Sequence, residues 1–488
     1  MTRKAMAGIA AALILAVTAG CDSPASVTPT ASGTIGTANP VVLEGGAADI
    51  GIKWNWNLKP PLAFASKVGW GETFFEVEWC AVRDSPEANR FRQLERILTK
   101  SQQMGYRLMV KIRVGGCSGG PEQLDPAEGT RKRPSSLPDD PAAYQQFVTK
   151  LVTRYSPRGV KIWAIENEVD ANNFWQGSPQ DYVQTVKLAA DAIRRADPQA
   201  TILDAGISST GYGIALAGEL LDAGHDQEAL ELYQRWYDRR HDTGTARFPV
   251  VGSVDELRSL LQDGRAKRVR AMVAANWEAV NSGAVTAYQL HFYENPDLLP
   301  TLLSYIQRHL TRPLPVQGWE IGTAWPGDGY TEQIHGAETA RLIGSLLAAQ
   351  VSPVVYLPLA YTPGGATKVE IFRGLVSPEG QELPSGQVYA RYAAALRAST
   401  AIRGVGFDGG TGVLIVGPSG TLAAVWPTGT GQLRLKEGSA VAASAPTTPV
   451  ATGASVAGPL LIDLSSTDAE KALREVSSDL GVTVSAGG

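Results

Sequence analysis

The sequence predicts an α/β fold: a (β/α)8 TIM barrel followed by a small β-rich C-terminal domain. Three observations carry this. Between residues 46 and 398, short apolar runs alternate with amphipathic segments. Eight of those runs are nearly continuous in apolar residues, as parallel strands covered on both faces are. After about residue 399 the runs shorten and Gly/Pro turns separate them. Eight strands with helical crossovers read as a closed barrel. The rival is an open doubly wound sheet, which wants a Gly-rich turn after its first strand. That place holds Trp54-Asn55-Trp56-Asn57.

Composition sets the bounds. The chain has 488 residues, and 44 Lys+Arg against 48 Asp+Glu leave a net charge of -4. No basic run points to nucleic acid. A hydrophobic content of 44% allows a large core, and three cysteines are too few for a disulfide-built scaffold.

The N-terminus reads as an address. Arg3 and Lys4 precede an apolar run over residues 5–20, which ends in Thr18-Ala19-Gly20 before Cys21. That is the layout of a secretory signal, and the run is short of the ~20 residues of a spanning helix. Small residues before a cysteine resemble a bacterial lipoprotein signal, although Thr18 stands where Leu is usual. The resemblance implies lipidation of Cys21, a membrane anchor and an extracytoplasmic location; an ordinary secretory signal is the alternative. Residues 21–45, rich in Ser, Thr, Pro, Ala and Gly, read as a flexible tether.

The strands expected in the barrel, 46–398, are 48–54, 74–79, 106–114, 160–166, 200–206, 285–293, 314–322 and 353–360. Between them, Tyr182, Val186, Ala189 and Ile193 recur at helical spacing behind Ser178-Pro179, and Asp197-Pro198 ends that helix. Residues 331–350 behave alike. The long connection after the fifth strand holds helical stretches near 215–240 and 253–281. In the C-terminal domain, 399–488, strands are expected at 412–417, 421–426, 432–436 and 459–464. A loop at 440–458 and a helix opened by Thr467-x-x-Glu470 complete it. Cys80 and Cys117 each follow a strand. If those strands are neighbours, about 4.8 Å apart, a Cys80–Cys117 disulfide fits.

In such a barrel, reactive groups sit at the C-terminal strand ends. Strand 4 ends Glu166-Asn167-Glu168 and strand 7 ends Trp319-Glu320. Strand 6 ends His291-Phe292-Tyr293. Strand 1 ends at Trp54 and Trp56, strand 2 near Trp79, strand 3 with Arg113 and strand 8 with Tyr361. Paired carboxylates among aromatic rings suit glycoside hydrolysis: one protonates the leaving oxygen, and the other attacks or activates water. Rings stack on sugar faces, while Asn, His and Arg bind hydroxyls. Trp175 and Trp325 also fall near the expected cleft, whereas Trp236, Trp277 and Trp426 read as packing.

These residues resemble the clan of retaining glycoside hydrolases with a (β/α)8 barrel and catalytic glutamates ending strands 4 and 7, with β-xylosidase-like and cellulase-like members nearest. The resemblance rests on KIWAIENEVDANNFWQGSPQDYVQTVKLAADAIRRADPQA, VEWCAVRDSPEANRFRQLERIL, GWEIGTAW and HFY. It implies Glu168 as general acid/base and Glu320 as nucleophile. It implies Asn167 on the sugar 2-hydroxyl, Tyr293 bonded to Glu320, and His291 in support. The implied partner is an oligo- or polysaccharide, with no cofactor and no metal. Glu166 stands where the clan often has an aromatic residue or Gly, and Val169 where it often has Pro. Arg113 has no counterpart role and is a candidate by position alone. A carbohydrate-binding lipoprotein on an inactive barrel and a transglycosylase are the alternative functions.

Other signals are weaker. Gly404–Gly409 matches GxGxxG, but a strand-like run follows it, so it reads as a turn rather than a dinucleotide site. The five histidines show no HExxH spacing, and no Cys/His cluster suggests zinc.

Overall fold

The computed structural model describes residues 42–483, apart from 45–47, 55, 57–58, 85–90, 117–122, 125–130, 133, 241–247, 326–328, 362–371, 408, 430 and 440. The signal segment, Cys21, most of the tether and Cys117 lie outside the described residues.

Eight parallel strands form the barrel: β1 (Ile50–Ile52), β2 (Gly71–Glu78), β3 (Tyr106–Arg113), β4 (Ile162–Ile165), β5 (Thr201–Leu203), β6 (Tyr288–Phe292), β7 (Val316–Ile321) and β8 (Val354–Tyr356). Each falls within or overlaps one of the eight apolar runs. The order is β5-β4-β3-β2-β1-β8-β7-β6. A parallel bridge from Leu203 to Ala287 joins the two ends, so the sheet nearly closes. Helices cover its outer face: α1 (Lys59–Val68), α2 (Arg92–Gln103), α3 (Pro141–Tyr155), α4 (Pro179–Ala196) and α5 (Ser209–Asp222), then α6 (Asp226–Tyr237), α7 (Val254–Leu261), α8 (Gly264–Asn281), α9 (Leu299–His309), α10 (Glu332–Ala348) and α11 (Pro384–Arg397). The two helical stretches expected after the fifth strand are thus four helices, α5 to α8. Ser178 caps α4 through a reciprocal pair with Asp181, as its sequence predicts.

Strand periodicity organises the barrel interior. Phe74, Met109, Ala164, Leu203, Ala287, Trp319 and Val355 form one apolar layer across it. Two residues further along β2, β3 and β6, on the same face, stand Glu76, Lys111 and Gln289, and Glu166 follows the end of β4. The interior therefore turns from apolar to charged toward the C-terminal strand ends. β7 breaks the rhythm. Gly318 pairs with Leu290 and Glu320 with the next residue, His291, so Trp319 is an extra residue in a bulge. Such a bulge re-aims a side chain. Here Trp319 enters the apolar layer while the adjacent Glu320 also reaches inward, to Lys111.

After the barrel come β9 (Ala401–Phe407), β10 (Gly410–Gly417), β11 (Gly420–Pro427), β12 (Gln432–Leu435), β13 (Ala442–Ala445), β14 (Leu460–Leu464) and α12 (Ala469–Asp479). β9-β10-β11-β14-β13 form an antiparallel sheet. Its faces alternate. Val413, Ile415, Leu422, Ala424 and Trp426 join the barrel's hydrophobic cluster. Leu414, Val416, Ala423 and Val425 instead pack with Ala472 and Val476 of α12.

Four expectations need correction here. Most of the GxGxxG stretch is strand β9, because Gly404 and Gly406 alternate with Arg403, Val405 and Phe407 in register with β10. The 440–458 stretch carries β13 rather than only a loop, since Ala442–Ser444 pair with β14. The cap of α12 is Asp468, whose side chain accepts from Lys471 N, not Thr467. The tether also ends earlier than residue 45: Val42–Glu44 pair antiparallel with Ala401–Arg403 at the edge of the sheet.

Candidate active site

The end of β4 builds one wall. Glu166 N–H donates to Ile112 O and Glu168 N–H to Ala205 O, tying the turn to both neighbouring strands. Between them the backbone is held in an unusual shape, with Glu166 at φ 69° and Glu168 at φ 38°. Left-handed conformations cost a non-glycine residue stability and cluster at functional sites. The turn points the two glutamates to different partners. Glu166 is fully buried, accepts from Val114 N–H at 2.6 Å and lies 3.7 Å from Arg113 Nε. Glu168 reaches His291 instead, with Oε1 3.0 Å from Nδ1.

β6 and β7 build the other wall. Tyr293 O–H donates to Glu320 Oε2 at 3.0 Å. Lys111 Nζ donates to Glu320 Oε1 at 2.8 Å and also to Asn167 Oδ1. His291 Nε2 is 3.8 Å from Glu320 Oε1, so its ring stands between the two carboxylates. Donor atoms of Glu168, His291 and Glu320 lie within 4.8 Å of one another. Gly206 permits this approach. Its φ is +67°, and a Cβ there would sit 3.0 Å from His291 Nε2.

Electrostatics separates the two carboxyls. Burial pushes Glu168 up, and the charges of Glu320 and Asp170 add to it against the His291 hydrogen bond. Burial also acts on Glu320, but His291 and Lys111 outweigh it and hold that carboxyl below its usual range. The pair can therefore offer one proton and one negative charge, which is the division that acid–base chemistry needs. The same three donors could in principle hold a cation. The Lys111 ammonium already neutralises Glu320, so a metal there would meet a fixed positive charge.

The structure thus brings together Glu168, Glu320, Asn167, His291 and Tyr293. The remaining candidates are placed differently. Arg113 is buried in an ion network with Glu78 (2.8 Å), Glu76 (3.8 Å) and Glu166, and braces the strand-4 loop through Phe174 O at 3.2 Å. Trp54 is 3% exposed and packs edge-on against Tyr106, with Trp56 beside it. Trp79 is 2% exposed and meets Tyr144 of α3. Trp175 is fully buried against Tyr182. Trp54, Trp79 and Trp175 are thus buried in packing contacts, while Trp56 is half-buried beside Trp54. Position at a strand end does not tell which face a ring takes, and that is why sequence placed them at the cleft. Trp325 is partly exposed and carries the Arg239 guanidinium 3.9 Å above its ring. Lys111, bonded to both Glu320 and Asn167, is the residue of this cluster that sequence reasoning missed. Its signal was there: a lysine inside an apolar strand, on the same face as Met109 and Arg113.

A cavity of about 260 Å³ lies beside the strand-4 turn, walled by Asp170, Ser208, Phe248, Arg265 and Arg268. It does not lie between the two carboxylates. Its lining residue Asp170 acts on Glu168 through its charge.

No family model and no curated protein matches the chain. Solved structures do. A family 39 glycoside hydrolase from Bacteroides cellulosilyticus WH2 superposes with a TM-score of 0.53 at 14% identity, over 85% of this chain and 80% of that one. The GH39 enzyme from Xanthomonas axonopodis pv. citri gives 0.50 at 13%, over 88% and 95%. A glucosidase from Croceicoccus marinus gives 0.50 at 12%, over 87% and 97%. At such identities the shared property is the fold: this chain has the barrel fold of glycoside hydrolases.

Proposed function

We propose that the protein is a retaining β-glycosidase in which Glu320 is the nucleophile and Glu168 the general acid/base. The observation that carries the reading is the carboxyl pair itself. Oxygens of Glu168 and Glu320 approach within 4.8 Å, and their proton affinities are driven apart. Retaining enzymes hold the two groups about 5–5.5 Å apart, while inverting ones leave about 6.5–9.5 Å for a water. In the first step Glu320 attacks the anomeric carbon, the glycosidic bond breaks, and Glu168 gives its proton to the leaving oxygen. In the second step Glu168 takes a proton from water, the water oxygen bonds to the anomeric carbon, and Glu320 leaves. His291, hydrogen-bonded to Glu168, orients it, and Tyr293 and Lys111 stabilise Glu320 as an anion.

The envelope assignment is part of the proposal: a barrel of residues 46–398 and a sheet domain of 399–488, carried on a lipidated Cys21 outside the cytoplasm. The Cys80–Cys117 bridge belongs with it. Cys80 Sγ is 3.4 Å from Gly115 O, two residues before Cys117. Thiol counting on unfolded, unreduced protein should find neither cysteine free.

The test is a panel of aryl β-glycosides and polysaccharides, with the anomeric product followed by NMR and Glu320→Gln run beside the wild type. Turnover with net retention, abolished in the variant, is the expected result. Full activity in the variant, or an inverted product, would overturn the assignment.

A further inference from the structure

Lys111 touches both halves of the site, and the chemistry of its ammonium fixes something that Glu168 and Glu320 do not. An ammonium only donates hydrogen bonds. The Asn167 atom facing Lys111 Nζ must therefore be the amide oxygen, which settles which way this side chain is turned. Its NH2 group is then left without a protein partner among the described residues and is available to a ligand. The same ammonium lies 2.8 Å from Glu320 Oε1 and favours the carboxylate form, an acceptor. Lys111 itself is wholly buried, so its charge is not dispersed by water.

We propose that Lys111 is a positioning residue that sets the substrate class through Asn167 and Glu320, selecting a neutral hydroxyl next to the anomeric carbon. The inference rests on the glycosidase reading. The site then offers one donor, the Asn167 NH2, and one acceptor, Glu320. A hydroxyl matches both, accepting from the first and donating to the second. An ammonium at that carbon cannot accept from Asn167 and meets a second buried ammonium. Sugars with a free 2-amino group are thus excluded. Without Lys111, Asn167 can turn its oxygen to the ligand and the repulsion is gone.

The other charged or titratable groups around Glu320 are His291 and Tyr293 on β6, Glu168 after β4 and Glu76 on β2. Among the described residues, Lys111 alone bonds both Glu320 and Asn167.

The experiment compares wild type, Lys111→Met and Lys111→Arg on para-nitrophenyl β-glucoside and its 2-amino-2-deoxy counterpart. In parallel, the Glu320 carboxyl carbon is titrated by 13C NMR in each protein and assigned with Glu320→Gln. In Lys111→Met, the kcat/KM preference for the 2-hydroxy substrate should fall at least tenfold. Glu320 should also titrate at higher pH. Lys111→Arg should restore the low titration. An unchanged preference in an active Lys111→Met protein, or an unchanged Glu320 titration, overturns the proposal. If the wild type hydrolyses neither these nor any other glycoside, the glycosidase reading fails. The Glu320 titration then still decides whether Lys111 governs that carboxyl.

Discussion

At the scale of single residues, the site is two glutamates in similar burial made unlike by their neighbours. Glu168 gains protons because burial and the Glu320 charge both disfavour its anion. Glu320 loses them because His291 and Lys111 favour its anion. The proposed mechanism needs Glu168 protonated and Glu320 ionised. Activity should therefore fall as pH rises through the raised Glu168 value, and fall again as pH drops through the lowered Glu320 value, giving a broad bell. Glu320→Gln removes one of the charges that raises Glu168, so Glu168 should titrate at lower pH in that variant. Carboxyl 13C titration checks this, and an unmoved Glu168 would mean that the pair is not coupled. Glu168→Gln should cost least with good leaving groups, which need little protonation. Equal losses on para-nitrophenyl and alkyl glycosides would argue against its acid role. Most of these residues were legible in the sequence, because a carboxylate at a strand end is a pattern of position and type. Lys111 was missed and the buried tryptophans were placed at the cleft, because the direction of a side chain depends on register and on neighbours far along the chain.

At the scale of elements, the turn after β4 and the close of β5 do the positioning. Gly206 has a backbone that an L-residue adopts at a cost of about 1–2 kcal/mol, and its missing Cβ leaves room for His291. Gly206→Ala should lower unfolding free energy by about that amount and reduce kcat as well. A loss of stability with kcat intact would show that His291 does not need this clearance. The turn also stores a pH response. Burial raises Glu166 to about 7, with Arg113 opposing. The unfolded chain releases that proton near pH 4.3. Between these values the native state binds more protons, so stability should fall as pH rises from about 4 to about 7, and level off above. Melting curves of Glu166→Gln should show a shallower fall over that window, and an identical slope would refute the account. Element existence was readable from apolar runs for all eight barrel strands. The bulge at Trp319 was not, since nothing in Gly-Trp-Glu marks which residue is extra until β6 is paired beside it.

At the scale of the whole molecule, barrel and C-terminal sheet share one cluster of buried side chains. Trp426 packs so closely on α10 that a Cβ at Gly344 would sit 2.8 Å from its ring. Deleting residues 399–488 should strip Ile402, Ile415, Leu422, Trp426 and Leu461 from that cluster and leave an aggregating barrel. A soluble, active fragment in a sedimentation and activity assay would contradict this. The sequence shift near residue 399 marked the change of architecture. It could not show that alternate residues of the new strands belong to the old core, because that depends on which helices the sheet lies against.

The short strand Val42–Glu44 has a mechanical consequence. It lies between the N-terminal segment and the rest of the chain, held by a three-residue ladder to Ala401, Ile402 and Arg403. Any pull on the N-terminal segment is borne first by that ladder and passed to the sheet, not directly to β1. Tension on the chain before Val42 would open this ladder before it reached β1. The ladder would act as a fuse between that segment and the barrel.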